Sequence, residues 1–281
     1  MGLLKWSAIG LGAVAIGLGA SVAIGVYLTE RDIQAFRAQV VDIARQNVRP
    51  IEPQPDLSTL PAPVQRYFAF TFPEGLQQAS MVKLKAEGQF RRPLTETFNF
   101  TTSEQVIAIG EPALMFSATT PIVPGIWARA YDYFAEGEME MKAKIVSLLT
   151  VVDEKETPEL NVISLRRWLL ESALFPHALL PGGAVRWEPI DDDSARAVVR
   201  SSGLDAELVA HFASDGRMTR MVAEEDGDLT TPYHGSGEHV TRDDYRLVDG
   251  VMIPHRFVIS RYAGGQTYPF FDASLTSIAF K

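Results

Sequence analysis

From Trp6 to Leu28 the chain runs for 23 residues without a charged side chain. At 1.5 Å rise per residue, a helix over that run reaches about 35 Å, more than the roughly 30 Å of a bilayer's hydrocarbon core. It also exceeds the apolar stretch of a cleaved signal peptide, about 7–15 residues, although Ser21-Val22-Ala23 has a cleavage-like form. Residues 1–29 are therefore expected to be a transmembrane signal anchor that meets the membrane through residues 6–28. Lys5 precedes the run and Glu30, Arg31 and Asp32 come after it. The positive-inside rule then leans toward a cytoplasmic N-terminus. The expectation is a single pass through the inner or plasma membrane with the C-terminal domain outside the cytoplasm, in the cell envelope. Ala13, Gly17, Ser21 and Gly25 recur every four residues, a small-residue stripe that lets a second helix approach. A helix–helix dimer through those four positions is part of the reading.

The next segment changes character. Glu30 to Val48 is amphipathic, with Ile33, Phe36, Val40, Ile43 and Ala44 near one face. Residues 30–49 are expected as a helical stalk, either continuing the span or packing back on the domain. Pro50, Pro53, Pro55, Pro61 and Pro63 stop that helix and stiffen the stretch after it. The linker is placed at 50–58 and the folded domain at 59–281.

Within the domain the period drops to two. Val82, Leu84, Ala86, Gly88 and Phe90 alternate with Lys83, Lys85, Glu87, Gln89 and Arg91, and Glu138 to Ile145 alternates in the same way. Similar segments lie at 98–107, 113–119, 128–135, 185–190, 195–200, 206–213, 218–224, 239–248, 252–262 and 274–280. Asp215-Gly216, Asp249-Gly250 and Gly264-Gly265 mark turns between them. A short helix at Pro63–Phe68 precedes the series and a longer one at Pro158–Ala173 interrupts it, each with proline at its start. Many strands at hairpin spacing predict a mainly β, α+β fold. Its expected form is a curved antiparallel sheet or half-barrel with one or two packed helices.

Composition removes several functions. A net charge of −9 argues against nucleic acid, whose binding requires basic side chains to replace counterions. The absence of cysteine removes disulfides, thiolate metal sites and a cysteine nucleophile. No phosphate-binding glycine loop and no Gly-x-Ser-x-Gly elbow occurs. Neither a cofactor nor a catalytic set is read from the sequence.

Five stretches together carry a resemblance. They are Leu60-Pro-Ala-Pro-Val-Gln-Arg66-Tyr67-Phe68; Asp132-Tyr133-Phe134-Ala135-Glu136-Gly137; Arg167-Trp168-Leu169-Leu170-Glu171 with Phe175-Pro176-His177-Ala178-Leu179-Leu180-Pro181; Val185-Arg186-Trp187; and Tyr245-Arg246-Leu247-Val248-Asp249-Gly250-Val251-Met252-Ile253-Pro254. In this order they resemble a bacterial and archaeal family of unknown function, over residues 57–281. The last stretch also resembles the curved-sheet, LolA-like proteins that carry lipoproteins, half-barrels with helices in a concave face that holds acyl chains. What that resemblance implies is a non-enzymatic protein binding a hydrophobic or amphiphilic ligand, a lipid or an acylated partner.

The residues expected to line such a site are Tyr67, Trp127, Tyr133, Arg167, Trp168 and Trp187. In any β domain the same aromatics also serve as core. Arg167 and Glu171, four apart on a helix, read first as a local ion pair. Asp132, Glu136 and Glu138 share strand parity and suggest a cation site, with a solvated face or pairing to Arg66 or Arg129 as the plainer reading. His234 and His239 flank Gly-Ser-Gly without metal-ligand spacing. Two rivals remain: an interaction or scaffolding module, and a metal-assisted hydrolase using Asp132, Glu136 or the His234/His239 loop.

Overall fold

The computed structural model describes residues 2–52, 55–91, 96–227, 229 and 237–281, and of residues 2–11, 13 and 14 the helical backbone alone. Helix α1 spans Gly2–Gln46 and α2 Ala62–Thr71. Six strands come next: β1 (Met81–Phe90), β2 (Asn99–Ala108), β3 (Ala113–Val123), β4 (Ile126–Ala135), β5 (Glu138–Ile145) and β6 (Leu149–Lys155). After α3 (Pro158–Glu171) and two short 3-10 turns come β7 (Val185–Pro189), β8 (Ser194–Ser201), β9 (Leu204–Phe212) and β10 (Met218–Val222). The last three strands are β11 (His239–Val248), β12 (Val251–Ala263) and β13 (Gln266–Phe280).

All thirteen strands join one antiparallel sheet in the order β6-β5-β4-β3-β2-β1-β13-β12-β11-β10-β9-β8-β7. Hairpins build most of it because the turn chemistry is local. Glu136 and Gly137, with φ of +55° and +85°, form a two-residue turn whose left-handed geometry matches strand twist. Asp249 and Gly250 do the same between β11 and β12. The one long-range closure, β1 on β13, joins the two ends of the domain.

The sheet is open. Its ends, β6 and β7, do not pair with each other, which corrects the expected curved sheet or half-barrel; the fold is α+β, with three α-helices among the described residues. The reason is visible in the connection. Residues 156–184, between the two edge strands, form α3 and the 3-10 turns instead of a closing hairpin. Thr157 caps α3 by accepting from the Leu160 N–H at 3.2 Å, and Pro158 occupies its first turn. The helix touches β8 and β9 on one arm of the sheet and β4 and β5 on the other.

The main core lies beneath α2 and α3, with Tyr67, Phe68, Leu165, Trp168, Leu169 and Phe175 nearly free of solvent. Trp168 donates its indole N–H to the Ala108 carbonyl at 3.0 Å. A second, smaller core sits on the opposite face of β2–β4. There Ile33, Val40 and Ala44 of α1 meet Val106, Met115 and Tyr131. Polar ties reinforce this docking: Glu30 receives Arg129 at 2.7 and 3.1 Å, and the Tyr133 hydroxyl donates to Gln39 at 2.8 Å.

That docking alters the reading of the apolar run. The helix does not end with it but continues unbroken to Gln46. Gly25 is already a tertiary contact, where a Cβ would lie 2.5 Å from the Ser147 carbonyl oxygen and 2.9 Å from Leu148. Among the described residues no helix is long and apolar enough to cross a membrane. This overturns the expected signal anchor, the membrane contact through residues 6–28, and the single-pass envelope localisation drawn from them. Residues 6–11, 13 and 14 of the run lie outside the described side chains. The four-residue dimer stripe is corrected as well. Gly25 packs within its own chain, the Ser21 hydroxyl bonds the Gly17 carbonyl at 2.9 Å, and Ala13 lies outside the described side chains.

Candidate functional site

A cavity of about 580 Å³ opens between α3 and the inner face of β1–β6, reaching β11–β13 on its far side. Strand parity selects its walls. Leu84 and Ala86 of β1, Phe116 and Ala118 of β3, Ala130 of β4 and Met141 of β5 all point inward, while their neighbours face α1 or solvent. Phe257 and Phe271 complete the apolar lining.

The polar part is an ion cluster built from four elements. Arg167 of α3 donates through Nε to Glu171 at 2.8 Å and through Nη1 to Asp132 of β4. Gln105 of β2 donates to the other Glu171 oxygen at 2.6 Å. The Arg167 guanidinium also lies 4.7 Å from the centre of the Phe116 ring. Arg242 of β11 donates to the Leu170 carbonyl at the end of α3. Burial opposes the charge on Arg167, yet the Glu171 and Asp132 carboxylates hold its pKa above the ordinary value. Burial raises Asp132 against the pull of Arg167.

Among the described residues, three polar atoms at this cavity are buried with no hydrogen-bond partner: Asp132 Oδ1, Arg242 Nε and Glu154 Oε2. Glu154 sits on the edge strand β6. Burial, and then the neighbouring Asp132, push it up to about 7. At least one of these groups therefore titrates near neutrality.

The six residues expected to line one site are dispersed. Arg167 alone lines this cavity. Tyr67 and Trp168 are fully buried core side chains. Trp187 is half-buried against Phe212 and donates to the Leu179 carbonyl at 3.1 Å. Tyr133 stacks on Phe36 of α1, on the opposite face of the sheet, and Trp127 lines a separate polar cleft beside Glu30 and Arg129. The parity of β4 separates Asp132 from Tyr133, so no single face holds both.

The carboxylate set also divides. Asp132 faces inward, whereas Glu136 occupies the turn, where strand parity ends. Asp132 pairs with Arg167; Arg129 goes to Glu30, and Arg66 to Asp193 at 3.6 Å. Among the described residues no three His, Asp or Glu side chains converge as a metal ion requires. His234 lies outside the described residues. His177 packs edge-on between Phe72 and Phe280, and burial pushes it down to about 4.

Gln105, Arg242 and Glu154 were not read from the sequence. The inward parity of Ser103, Gln105 and Ile107 on β2 was an available signal for the first. Glu154 belongs to a strand whose residues, Leu-Thr-Val-Val-Asp-Glu-Lys, do not alternate.

Such a molecule is an α+β domain with one open antiparallel sheet and a charged, partly apolar cavity beneath a helix. The chain belongs to the family of unknown function DUF6920, which matches residues 58–280. No protein of curated function matches it. Solved structures show partial likeness. One is a LolA superfamily protein from Nitrosomonas europaea, at 8% identity and TM-score 0.33, covering 78% of this chain and 92% of that one. Another is a DUF1329 family protein from Desulfovibrio piger, at 8% identity and TM-score 0.32, covering 72% and 86%. A third is a β-barrel-like DUF1849 protein from Brucella abortus, at 10% identity and TM-score 0.27, covering 72% and 98%. At these scores the likeness assigns no function.

The expected lipid or acylated ligand is set aside with the half-barrel that it required. The sheet is open, and the cavity contains a buried Asp132–Arg167–Glu171 cluster. A hydrocarbon chain laid against those charges would desolvate them without supplying hydrogen bonds.

Proposed function

We propose that the domain is a non-catalytic protein-interaction module that accepts an extended, apolar segment of a partner on the edge strand β6. One observation carries this reading. Among the described residues β6 ends the sheet with no neighbouring strand on its outer side, and its first half exposes Leu149 (64%) and Val151 (52%). An unpaired edge presents backbone N–H and C=O groups that another strand can satisfy.

The surroundings agree with it. Ile122, Val123, Ile126 and Leu148 are exposed in the hairpins beside β6. Gly25 abuts Ser147 and Leu148, so exposed Ile24, Tyr27 and Leu28 of α1 extend that surface. The second half of the strand carries Asp153, Glu154 and Lys155, charges that discourage pairing. Docking is therefore confined to about residues 149–152. The opposite edge, β7, is shorter and ends in Pro189.

Selection from a displayed random-peptide library against the full chain tests this. Enriched peptides should alternate apolar and polar residues, and their binding should fall at least about tenfold in the Leu149→Lys/Val151→Lys double variant. Enrichment of no such pattern, or binding indifferent to the double variant, would sink the proposal.

A further inference from the structure

The cavity carries its own chemistry, which uses side chains of β6 that line it and not the open backbone edge of that strand. The charged groups facing it are Asp132 from β4, Asp153 and Glu154 from β6, Arg167 and Glu171 from α3, and Arg242 from β11. Asp153 is half-exposed and pairs with Lys142 at 3.4 Å, so it is already compensated at the rim. Three carboxylates then stand against two guanidiniums, which leaves one negative charge in excess.

The excess is localised. Glu171 is saturated by Arg167 and Gln105. Asp132, only 4% exposed, spends one oxygen on Arg167 and keeps Oδ1 without a donor. Glu154, the carboxyl on which burial and then the Asp132 charge act, has no cation within ion-pair distance among the described residues and a buried Oε2 without a donor. A buried acceptor without a donor destabilises the empty site, so the site favours whatever supplies one.

We infer that this cavity is a binding site for a compact protonated organic amine, its ammonium held by the Asp132 and Glu154 carboxylates. Three observations choose this ligand class. The missing elements are a hydrogen-bond donor and a positive charge, and an ammonium supplies both. A metal ion is disfavoured because no third His, Asp or Glu converges there among the described residues. Much of the remaining wall, including Ala86, Phe116, Ala130, Met141, Phe257 and Phe271, is apolar and suits a hydrocarbon or aromatic body. A volume of about 580 Å³ falls in the usual range for small-molecule pockets. Arg167, fixed between Asp132 and Glu171, is a positioning residue that holds the Asp132 carboxylate in place.

Titration calorimetry on the full chain at about pH 8 tests this with benzylamine, hexylamine and tryptamine as probes, and with benzyl alcohol and benzoate as uncharged and anionic counterparts. At least one amine should bind at one per chain, and benzyl alcohol and benzoate should bind at least about tenfold more weakly. Glu154→Gln, on a half-exposed edge position that tolerates the change, should weaken the amine about tenfold. Protonating Glu154 removes its charge, so amine affinity should fall as pH drops from about 8 to about 5.5. Glu154→Gln should lose that dependence. Binding of none of the three amines overturns the inference, as does equal binding of benzyl alcohol or an affinity that Glu154→Gln leaves unchanged.

Discussion

Arg166 and Arg167 are adjacent on α3, yet they enter two ion clusters on opposite arms of the sheet. Arg166 reaches Glu238, just before β11, at 3.2 Å. Glu238 also accepts from Arg261 at 2.9 Å and from the Tyr262 backbone N–H at 3.0 Å, and both Glu238 and Arg261 side chains are 1% exposed. Arg167 reaches Asp132 and Glu171, but there one carboxylate oxygen faces a cavity without a donor. The first carboxylate is closed by three donor groups and the second is left open. A saturated buried charge fixes structure, whereas an unsaturated one beside a void can still take up a ligand or a proton.

Emptying the closed cluster should have the largest effect. Glu238→Ala leaves Arg166 and Arg261 facing each other without their carboxylate. It should cost about 3–5 kcal/mol in urea unfolding. A loss below about 1 kcal/mol would mean that the cluster does not hold the arms together.

Arg167→Met attacks the open cluster and should cost somewhat less at neutral pH, about 2–4 kcal/mol. Its signature is the pH dependence. Without the guanidinium, Asp132 is a buried carboxylate whose pKa burial raises with no cation to oppose it. Stability should then return as pH falls, because Asp132 can protonate. Unfolding at about pH 7 and about pH 5 checks this; equal losses at both would place Asp132 in water.

Glu154→Gln is the smallest perturbation, within about 0.5 kcal/mol at about pH 5. The sign comes from the raised carboxyl, about 7 in the fold against an ordinary 4.5. Its stabilising contribution is present below the ordinary value and fades as pH rises through about 7. The wild-type chain should thus lose stability between those limits relative to Glu154→Gln. Parallel pH profiles for the two proteins would contradict a raised Glu154 carboxyl.

Much of the local structure was legible in the sequence. Strands β1 and β5 lie where charged and apolar residues alternate, and Asp249-Gly250 forms the turn that its residues demand. The bounds of α3 reflect Thr157, Pro158 and the apolar spacing behind them. β6 was not expected, because Val151-Val152-Asp153-Glu154 breaks the alternation where the strand bulges. The Arg167–Glu171 spacing was legible as a pair, but its burial was not. That burial depends on Asp132, 35 residues away, and Gln105, 66 residues from Glu171.

The uncharged run to Leu28 shows the same limit from the other side. Its length and composition alone predicted a membrane span, but a helix is defined by what it packs against as well as by its own residues. Contacts from Gly25 onward with the β5–β6 turn, and from Ile33 onward with β2–β4, are made by segments about a hundred residues distant along the chain. The sequence by itself determined most of the strands, the Asp-Gly turn before β12 and the start of α3, because backbone dihedrals, caps and side-chain alternation act over a few residues. Only the tertiary structure decided that the sheet stays open, that α1 docks, and that one arginine on α3 closes a cluster while its neighbour leaves one open, because those outcomes depend on long-range packing and on which buried charges find partners.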